Sequence, residues 1–343
     1  MRIGFLVLPQ APLTSVLGPL EILQLAESMV RRQGKIHTPS ALELVLVSEH
    51  PGPHPGVPAV QLQSQTIGDS GNLDWVIVSA AGPIPSEGPC FSQAVMDWLR
   101  AQYAQGARLG SICTGAFLLA ESGLLNGHIA TTHWRYERLF RLRYPGVLLK
   151  TERLVTQAGR FMCSGGAHAY LDFALHWVEL NYGAYIASEV AKWLVLDRYR
   201  ESQSLYSRFL PPRRHGDAKV LQVQDWMEVH YAQAVQIETL AAQVHLSERQ
   251  FKRRFKAATG ESPLEYLQKI RIEQARDRLE FSRESVEQIA QTVGYDDAGF
   301  FRTLFRRQTS QTPAQYRRHT QARERLSVRP MEPDDAALPM ASS

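Results

Sequence analysis

The sequence of 343 residues contains only three cysteines and no long uncharged apolar run. Cys90, Cys113 and Cys163 are widely spaced and form no Cys-x-x-Cys pair, which excludes a disulfide framework and a cysteine zinc site. No stretch approaches the roughly 18 uncharged apolar residues that a membrane-spanning helix needs. We therefore expect a soluble protein of the reducing cytoplasm, with no membrane partner, no cofactor and no metal.

Net charge is small and unevenly distributed. The chain has 38 basic and 34 acidic side chains, a formal charge of +4. Residues 1–212 carry +1 (17 basic, 16 acidic), residues 213–329 carry +6 (21 basic, 15 acidic) and residues 330–343 carry −3. A basic segment of this kind predicts a polyanionic partner. The length predicts two domains, at about 150 residues for each.

The first two hundred residues alternate short apolar runs with stretches of helical spacing. Arg2–Leu8, Trp75–Val78 and Arg108–Ile112 are typical of buried strands, whereas Thr14–Val30 and Ala167–Leu180 have helical periodicity. This alternation predicts an α/β sandwich of the flavodoxin-like type, with a mostly parallel sheet covered by helices. Such sheets bind ligands beyond the carboxyl ends of their strands.

The alternation stops where Pro211 and Pro212 interrupt a segment without periodicity, and every strong segment beyond it is helical. The acidic, proline-containing end of the chain is typical of disorder. We therefore predict an α/β domain at 1–199, a linker at 200–217, an all-α domain at 218–319 and a disordered tail at 320–343.

The all-α part contains an internal repeat. Ile237–Tyr266 and Val286–Tyr316 each consist of a short amphipathic helix, a turn and a second helix with two aromatic residues four positions apart. Residues at that spacing share one helix face, so they pack the second helix onto the first. The pattern predicts two helix-turn-helix motifs. The aromatic pairs are Phe251 with Phe255 and Phe301 with Phe305.

Side chains opposite these aromatic pairs lie on the outer face of each second helix. Arginine and glutamine can bind guanine and adenine edges, whereas glycine cannot read a base. We therefore predict double-stranded DNA as the partner, with the first motif reading sequence and the second contacting mainly phosphates. A helical bundle with basic solvated faces and a DNA-binding protein without sequence preference are the alternatives. The outward residues are Arg249, Gln250, Arg253 and Lys256, then Gly299, Thr303, Arg306 and the neighbouring Arg307, with Phe300 at the edge.

Residues 220–319 resemble the AraC/XylS family of bacterial transcription regulators. The matching residues include Leu240-Ala241, Ser247–Phe255, Gly294-Tyr295 and Pro313–Tyr316. Ser310 stands where the first copy has Gly260, and His245 stands where the second copy has Gly294. The resemblance implies sequence-specific control of transcription, with RNA polymerase as a further partner.

A nucleophile elbow is predicted around Cys113. The elbow is a sharp strand-to-helix turn that needs small residues two positions before and after the nucleophile, and Ser111 and Gly115 satisfy this. A thiol at a helix N-terminus has a lowered pKa, which favours the thiolate. The alternative is that Cys113 packs as a small apolar residue.

Together with 18–21 (GPLE) and 130–134 (ATTHW), this elbow makes residues 2–196 resemble the ThiJ/PfpI branch of the class I glutamine amidotransferase-like superfamily. Further stretches, 123–127 and 171–175, resemble its regulator subgroup, in which this domain precedes an AraC-type module. The resemblance implies a ligand cleft around Glu21, Cys113, Thr114 and His133.

The same resemblance implies a homodimer that senses a small-molecule effector, such as an amino acid or a quaternary amine, and does not catalyse a reaction. The catalytic His-x-Glu pair of the amidotransferases is absent, because His133-Trp134-Arg135 stands in its place. A Cys-dependent hydrolase or lyase with a DNA-tethering module is the alternative, with Cys113 and His133 as nucleophile and base.

Overall fold

A computed structural model describes residues 1–32, 42–53, 60–88, 90–198, 200, 202–204, 206–213 and 215–327. The chain divides into two compact units between Tyr206 and Ser207. Within the described ranges, no helix has the length and apolar character to cross a membrane.

The first unit is built on a seven-stranded sheet with the strand order β10-β11-β7-β6-β1-β2-β5. All neighbours are parallel except β10 and β11. Two smaller sheets pair β3 with β4 and β8 with β9. The strands are β1 (Arg2–Leu6), β2 (Glu43–Ser48), β3 (Gly52–Pro53), β4 (Gln61–Leu62), β5 (Gln65–Thr66), β6 (Trp75–Val78), β7 (Arg108–Ile112), β8 (Ile129–Ala130), β9 (Leu148–Leu149), β10 (Val155–Ala158) and β11 (Phe161–Ser164).

Helices cover this sheet, which confirms the predicted α/β fold. The central strand β6 is buried along its whole length, as expected for a parallel strand between helical layers. Gly183 (φ 87°) has a non-helical backbone and kinks the last helix of this unit. The helices are α1 (Thr14–Arg32), α2 (Gln93–Ala104), α3 (Ala116–Glu121), α4 (Glu137–Arg143) and α5 (Tyr170–Trp193), with 3₁₀ turns at Cys113–Gly115, Trp134–Tyr136 and Ala167–Ala169.

The sequence analysis missed the hairpin formed by β10 and β11. These strands have four residues each and turn around Gly159, whose φ of 58° suits glycine. Runs this short show no clear alternation of apolar and polar residues. The hairpin places β11 beside β7, whose end carries Cys113.

The second unit is all-α, which confirms the predicted pair of helix-turn-helix motifs. The first motif is α7 with α8, the second is α10 with α11, and the uninterrupted α9 connects them. The last helix continues past residue 319 into the segment predicted to be disordered, of which 328–343 lie outside the described residues. The helices are α6 (Ala218–His230), α7 (Ile237–Gln243), α8 (Glu248–Thr259), α9 (Pro263–Phe281), α10 (Val286–Thr292), α11 (Ala298–Thr309) and α12 (Pro313–Ser327).

The two motifs have the same internal packing. The ring centroids of Phe251 and Phe255 are 5.5 Å apart, and those of Phe301 and Phe305 are 5.8 Å apart. A tyrosine from the following helix packs edge-on against the second ring of each pair, at 5.3 Å for Tyr266 and 5.5 Å for Tyr316. Capping boxes at Ser247, Ser262 and Ser285 begin α8, α9 and α10.

Described residues of the predicted linker, 200–217, pack into the units to which they belong. Gln203 is only 2% exposed within the first unit, and Ser202 forms a β-bridge with Arg153. In the second unit, the ring of Phe209 lies 5.2 Å from that of Tyr266. Loss of helical periodicity therefore does not make this segment a free linker, because its side chains still bury area and form hydrogen bonds.

Candidate functional site

Exposed cations that form no ion pair, in the part of the chain that the structure describes, lie on the outer face of α8. Arg249, Arg253 and Lys256 are exposed, and within the described part of the chain none of them forms an ion pair. By contrast, Lys252 pairs with Glu248, and Arg254 pairs with Asp217 at the start of α6. The predicted DNA-facing cations of α8 thus differ from their immediate neighbours, which are held in ion pairs.

The outer face of α11 repeats this arrangement. Arg306 and Arg307 are exposed and have no ion-pair partner among the residues that the structure describes, whereas Arg302 pairs with Glu287. Thr303 is exposed, and its hydroxyl donates to the carbonyl oxygen of Gly299 at 3.1 Å. Each second helix therefore presents an outer face with unpaired positive charge.

Gln250 differs from the other predicted DNA-facing residues because it takes part in a helix cap. Its Oε1 accepts hydrogen bonds from the Ser247 backbone nitrogen at 3.1 Å and from the Ser247 hydroxyl at 3.0 Å. A bidentate contact with adenine needs both the oxygen and the nitrogen of the amide. In this conformation only Nε2 is left for a base.

Arg271 on α9 connects the second motif to the segment before the first. Its guanidinium donates to the carbonyl oxygens of Tyr231 at 2.7 Å, Gln233 at 2.8 Å and Gly294 at 2.9 Å. It also lies 5.0 Å from the ring centroid of Tyr295. Nothing in the sequence pattern points to this role, because the three acceptors are backbone atoms brought together by the fold.

The turns of the two motifs both contain a left-handed residue. His245 has φ 52° in the first turn and Gly294 has φ 92° in the second. A Cβ atom at Gly294 would lie 2.7 Å from the carbonyl oxygen of Ala232, so glycine is required there for space as well as for conformation. The histidine and the glycine at this position therefore adopt the same backbone region.

Cys113 occupies an elbow in the first unit. It has φ 55° and begins the 3₁₀ turn that follows β7. Gly115 is held close to β6, since a Cβ there would lie 2.4 Å from the carbonyl oxygen of Ser79. The strained backbone and the small neighbour agree with the predicted elbow geometry.

The predicted lowering of the Cys113 pKa is wrong. The side chain is buried, at 6% exposure, and burial raises the pKa of its thiol to about 11. Burial disfavours the charged thiolate, because it removes the sulfur from water, although hydrogen bonding to Thr114 lowers the pKa and acts in the opposite direction. The thiol is therefore neutral at pH 7.

The other predicted ligand-binding residues have different surroundings. Burial, and to a smaller extent the charge of Arg135, lowers the pKa of His133, whose Nδ1 accepts a hydrogen bond from the Arg135 backbone at 3.1 Å. The hydroxyl of Thr114 accepts from the Ala81 backbone at 2.8 Å. Glu21 is exposed on α1. Among the described residues, no hydrogen bond joins Cys113 to His133 or to Glu21.

Gln203 supports the His133 segment, which sequence reasoning missed because this residue lies in the predicted linker. Its Nε2 donates to the carbonyl oxygen of Thr132 at 2.8 Å, and its Oε1 accepts from the backbone nitrogens of Gly166 at 3.1 Å and Trp134 at 3.3 Å. Thr132 in turn donates from its hydroxyl to the carbonyl oxygen of Cys113 at 2.9 Å. A chain of hydrogen bonds therefore runs from Gln203 to the elbow.

A separate cavity of about 350 Å³ in the first unit contains none of the predicted ligand-binding residues. Two ion pairs border it, Asp172 with Arg200 at 2.5 Å and Glu179 with Arg198 at 2.9 Å. No three His, Cys, Asp or Glu side chains in the described ranges are grouped so as to hold a metal ion. The cavity is lined by Arg153, Val155, Gln157, Asp172, Leu175, His176, Glu179, Arg198 and Arg200.

Comparison with known proteins matches both units. A helix-turn-helix domain model matches residues 240–319, and the DJ-1/PfpI family model matches residues 72–180. The HTH-type transcriptional regulator CdhR of Pseudomonas aeruginosa is 30% identical over 226 residues, which cover 65% of this chain and 67% of that protein. The chain belongs to the AraC family of transcription regulators. Its first unit is a DJ-1/PfpI domain.

One further similarity covers almost the whole of this AraC-family regulator, and another covers its fold in a solved structure. The HTH-type transcriptional regulator ArgR of Pseudomonas aeruginosa is 28% identical over 320 residues, 92% of each chain. A solved structure from Vibrio parahaemolyticus, described as a transcriptional regulator, matches the fold with a TM-score of 0.50 at 24% identity. It covers 57% of this chain and 98% of that one.

Proposed function

We propose that this regulator recognises a specific DNA sequence mainly through α8, and that a small metabolite bound in its DJ-1/PfpI domain controls it. The unpaired cations on the outer faces of α8 and α11 carry the proposal. A guanidinium already paired with a carboxylate must lose that partner before it binds a phosphate or a base, whereas an unpaired one does not.

The two motifs have different tasks in this proposal. Arg249 and Arg253 bind guanine edges, because arginine makes two parallel hydrogen bonds to that base, and Gln250 adds a contact through Nε2. Lys256 contacts the backbone beside them. Thr303, Arg306 and Arg307 bind phosphates and set the register of the protein on the duplex.

Two neighbouring arginines on α8 provide the test. Full-length protein is used to select preferred duplexes from a random pool, and dissociation constants are then measured on the selected and on an unrelated duplex. We expect Arg253→Ala to weaken binding to the selected duplex about tenfold or more, with a smaller effect on the unrelated one. Arg254→Ala, which removes an ion-paired arginine, is the matched control and changes both little.

Other outcomes contradict the proposal in distinct ways. Equal loss on both duplexes after Arg253→Ala indicates binding without sequence preference. An equal loss of affinity after Arg253→Ala and after Arg254→Ala shows that the absence of an ion pair does not mark the arginines that bind DNA.

We further propose that Glu21, Cys113, Thr114 and His133 line the effector site, that the effector is an amino acid or a quaternary amine, and that the regulator works as a homodimer with RNA polymerase. Thermal unfolding of the full chain with the twenty amino acids, choline and glycine betaine tests the effector class. His133→Ala should abolish the ligand-induced increase in Tm, whereas His176→Ala, in the separate cavity, should retain it. The reverse result assigns the effector to that cavity.

The left-handed backbone at Cys113 favours an enzyme as the second candidate, a hydrolase or lyase. Burial of the thiol, and the lack of a hydrogen bond to His133 in the described part of the chain, argue against it. Cys113→Ala separates the two. Loss of turnover with intact DNA binding supports the enzyme, and an unchanged promoter response leaves Cys113 a packing role.

A further inference from the structure

Phe300 is a large apolar side chain exposed on a recognition helix. It is 51% exposed, whereas its neighbours Phe301 and Phe305 are completely buried. A phenyl ring in water forgoes the free energy that burial would supply, so an exposed ring on a binding face is an expected contact for a partner. The question is which part of a DNA duplex this ring fits.

The ring of Phe300 has a supported position. Its ring centroid lies 5.9 Å from the ring centroid of Tyr295. The guanidinium of Arg271 lies 5.0 Å from that same Tyr295 centroid. Arg271 is itself fixed by three backbone carbonyl oxygens. Less side-chain freedom therefore remains to be lost when Phe300 binds a partner.

The helix caps explain why an apolar residue is possible here. Phe300 follows its N-cap Asp297 by three positions, as Gln250 follows Ser247 in the first motif. Gln250 completes the cap of α8, but Asp297 caps α11 alone, accepting from the backbone nitrogens of Gly299 at 2.7 Å and Phe300 at 3.2 Å. The side chain at 300 is therefore not needed for capping.

The position of Phe300 points to a base and not to a phosphate. In a helix-turn-helix motif the first turn of the second helix approaches the base edges. Gly299 precedes Phe300 and has no side chain to hold that turn away from the groove floor. A phenyl ring cannot bind a phosphate, and the one apolar group that a base presents in the major groove is the 5-methyl group of thymine.

We propose that Phe300 packs against the 5-methyl group of a thymine and gives the second motif a base preference of its own. This rests on the proposed sequence-specific binding, and it adds a base contact to a helix, α11, that we proposed to contact mainly phosphates. Phe300 is then a specificity residue of the second motif.

Thymine-to-uracil exchange tests this contact, because deoxyuridine lacks only the methyl group. Each thymine of a duplex selected by the full-length protein is replaced in turn, and the dissociation constant is measured by fluorescence anisotropy. We expect the unmodified protein to lose about fourfold in affinity at one position in the half contacted by α11, which corresponds to one buried methyl group. The Phe300→Ala variant should bind the thymine duplex and the uracil duplex with the same affinity, because the residue that contacts the methyl group is gone.

Two further variants serve as controls. Phe281→Ala removes a different exposed phenylalanine, 75% exposed at the end of α9, and should retain the fourfold methyl effect. Phe300→Met keeps an apolar side chain and should retain part of it. A methyl effect that is the same in Phe300→Ala and in the unmodified protein overturns the proposal, as does the absence of any methyl effect. A pool that yields no preferred duplex overturns sequence-specific binding itself.

Discussion

Nη1 of Arg271 donates a 2.9 Å hydrogen bond to the carbonyl oxygen of Gly294, joining the helix between the two motifs to the turn of the second. The same guanidinium binds the backbone before the first motif, at Tyr231 and Gln233. One charged side chain thus joins α9 to the segment before the first motif and to the turn of the second.

Arg271→Ala should lower the free energy of unfolding by about 2–4 kcal/mol, because three carbonyl oxygens lose a charged donor together. Urea denaturation followed by circular dichroism measures the loss. Arg283→Ala, at an exposed arginine just beyond α9, is the matched control and should change stability by less than about 0.5 kcal/mol. Similar values for both variants would contradict a structural role for Arg271.

The two left-handed turn residues should respond differently to alanine. Gly294→Ala is expected to lower stability by about 2 kcal/mol or more, since it combines left-handed strain with the approach to the Ala232 carbonyl oxygen. His245→Ala keeps a Cβ where one already exists, so its effect should be below about 1 kcal/mol. The unfolding temperatures of the two variants provide the comparison. Equal decreases would show that the approach to the Ala232 carbonyl oxygen does not exclude a Cβ atom at position 294.

Gln203→Ala should destabilise the first unit by about 2–3 kcal/mol, because buried groups around Thr132, Trp134 and Gly166 lose their partner. Calorimetry of the full chain measures the change. Gln24→Ala, at an exposed glutamine of α1, provides the control and should leave the unfolding temperature within about 1–2 °C of that of the unmodified protein. If Gln203→Ala is equally neutral, the hydrogen bonds of Gln203 do not stabilise the first unit.

The Cys113 thiol should be unreactive in the folded protein. Its folded-state pKa of about 11 lies above the ordinary value of 9.0, so iodoacetamide at pH 8 should modify the partly exposed Cys90 first and Cys113 only after unfolding in urea. Mass spectrometry of the alkylated peptides distinguishes the sites. Rapid modification of native Cys113 would favour the enzyme.

The same raised pKa has a consequence for stability. The folded state holds the thiol proton more tightly than the unfolded state does, so this group has no effect below pH 9 and destabilises the fold as pH rises from 9 towards 11. Cys163, whose pKa burial also raises to about 11, adds to the effect. Cys163→Ala should therefore reduce the loss of stability in alkali.

Features set by local sequence could be predicted, and those set by burial could not. The strands Trp75–Val78 and Arg108–Ile112 have the same bounds in the structure as in the prediction, because apolar runs and turn residues are local signals. The pKa of Cys113 depends on packing from distant segments, and the bonds of Gln203 and Arg271 go to backbone groups that no side-chain pattern encodes. The spacing of Phe251 and Phe255 predicted which cations of α8 lie on its outer face, but which of them form ion pairs became visible only in the fold.

The uninterrupted helix α9 has a consequence for any promoter. Its 19 residues span about 28 Å, close to the ~34 Å of one DNA turn, and it does not stretch. Inserting about five base pairs between the two contacted segments would rotate one of them to the far side of the duplex. A whole extra turn would restore the side but exceed the reach of α9, so in the proposed binding mode the two contacted segments must keep a constant spacing as well as a constant helical phase.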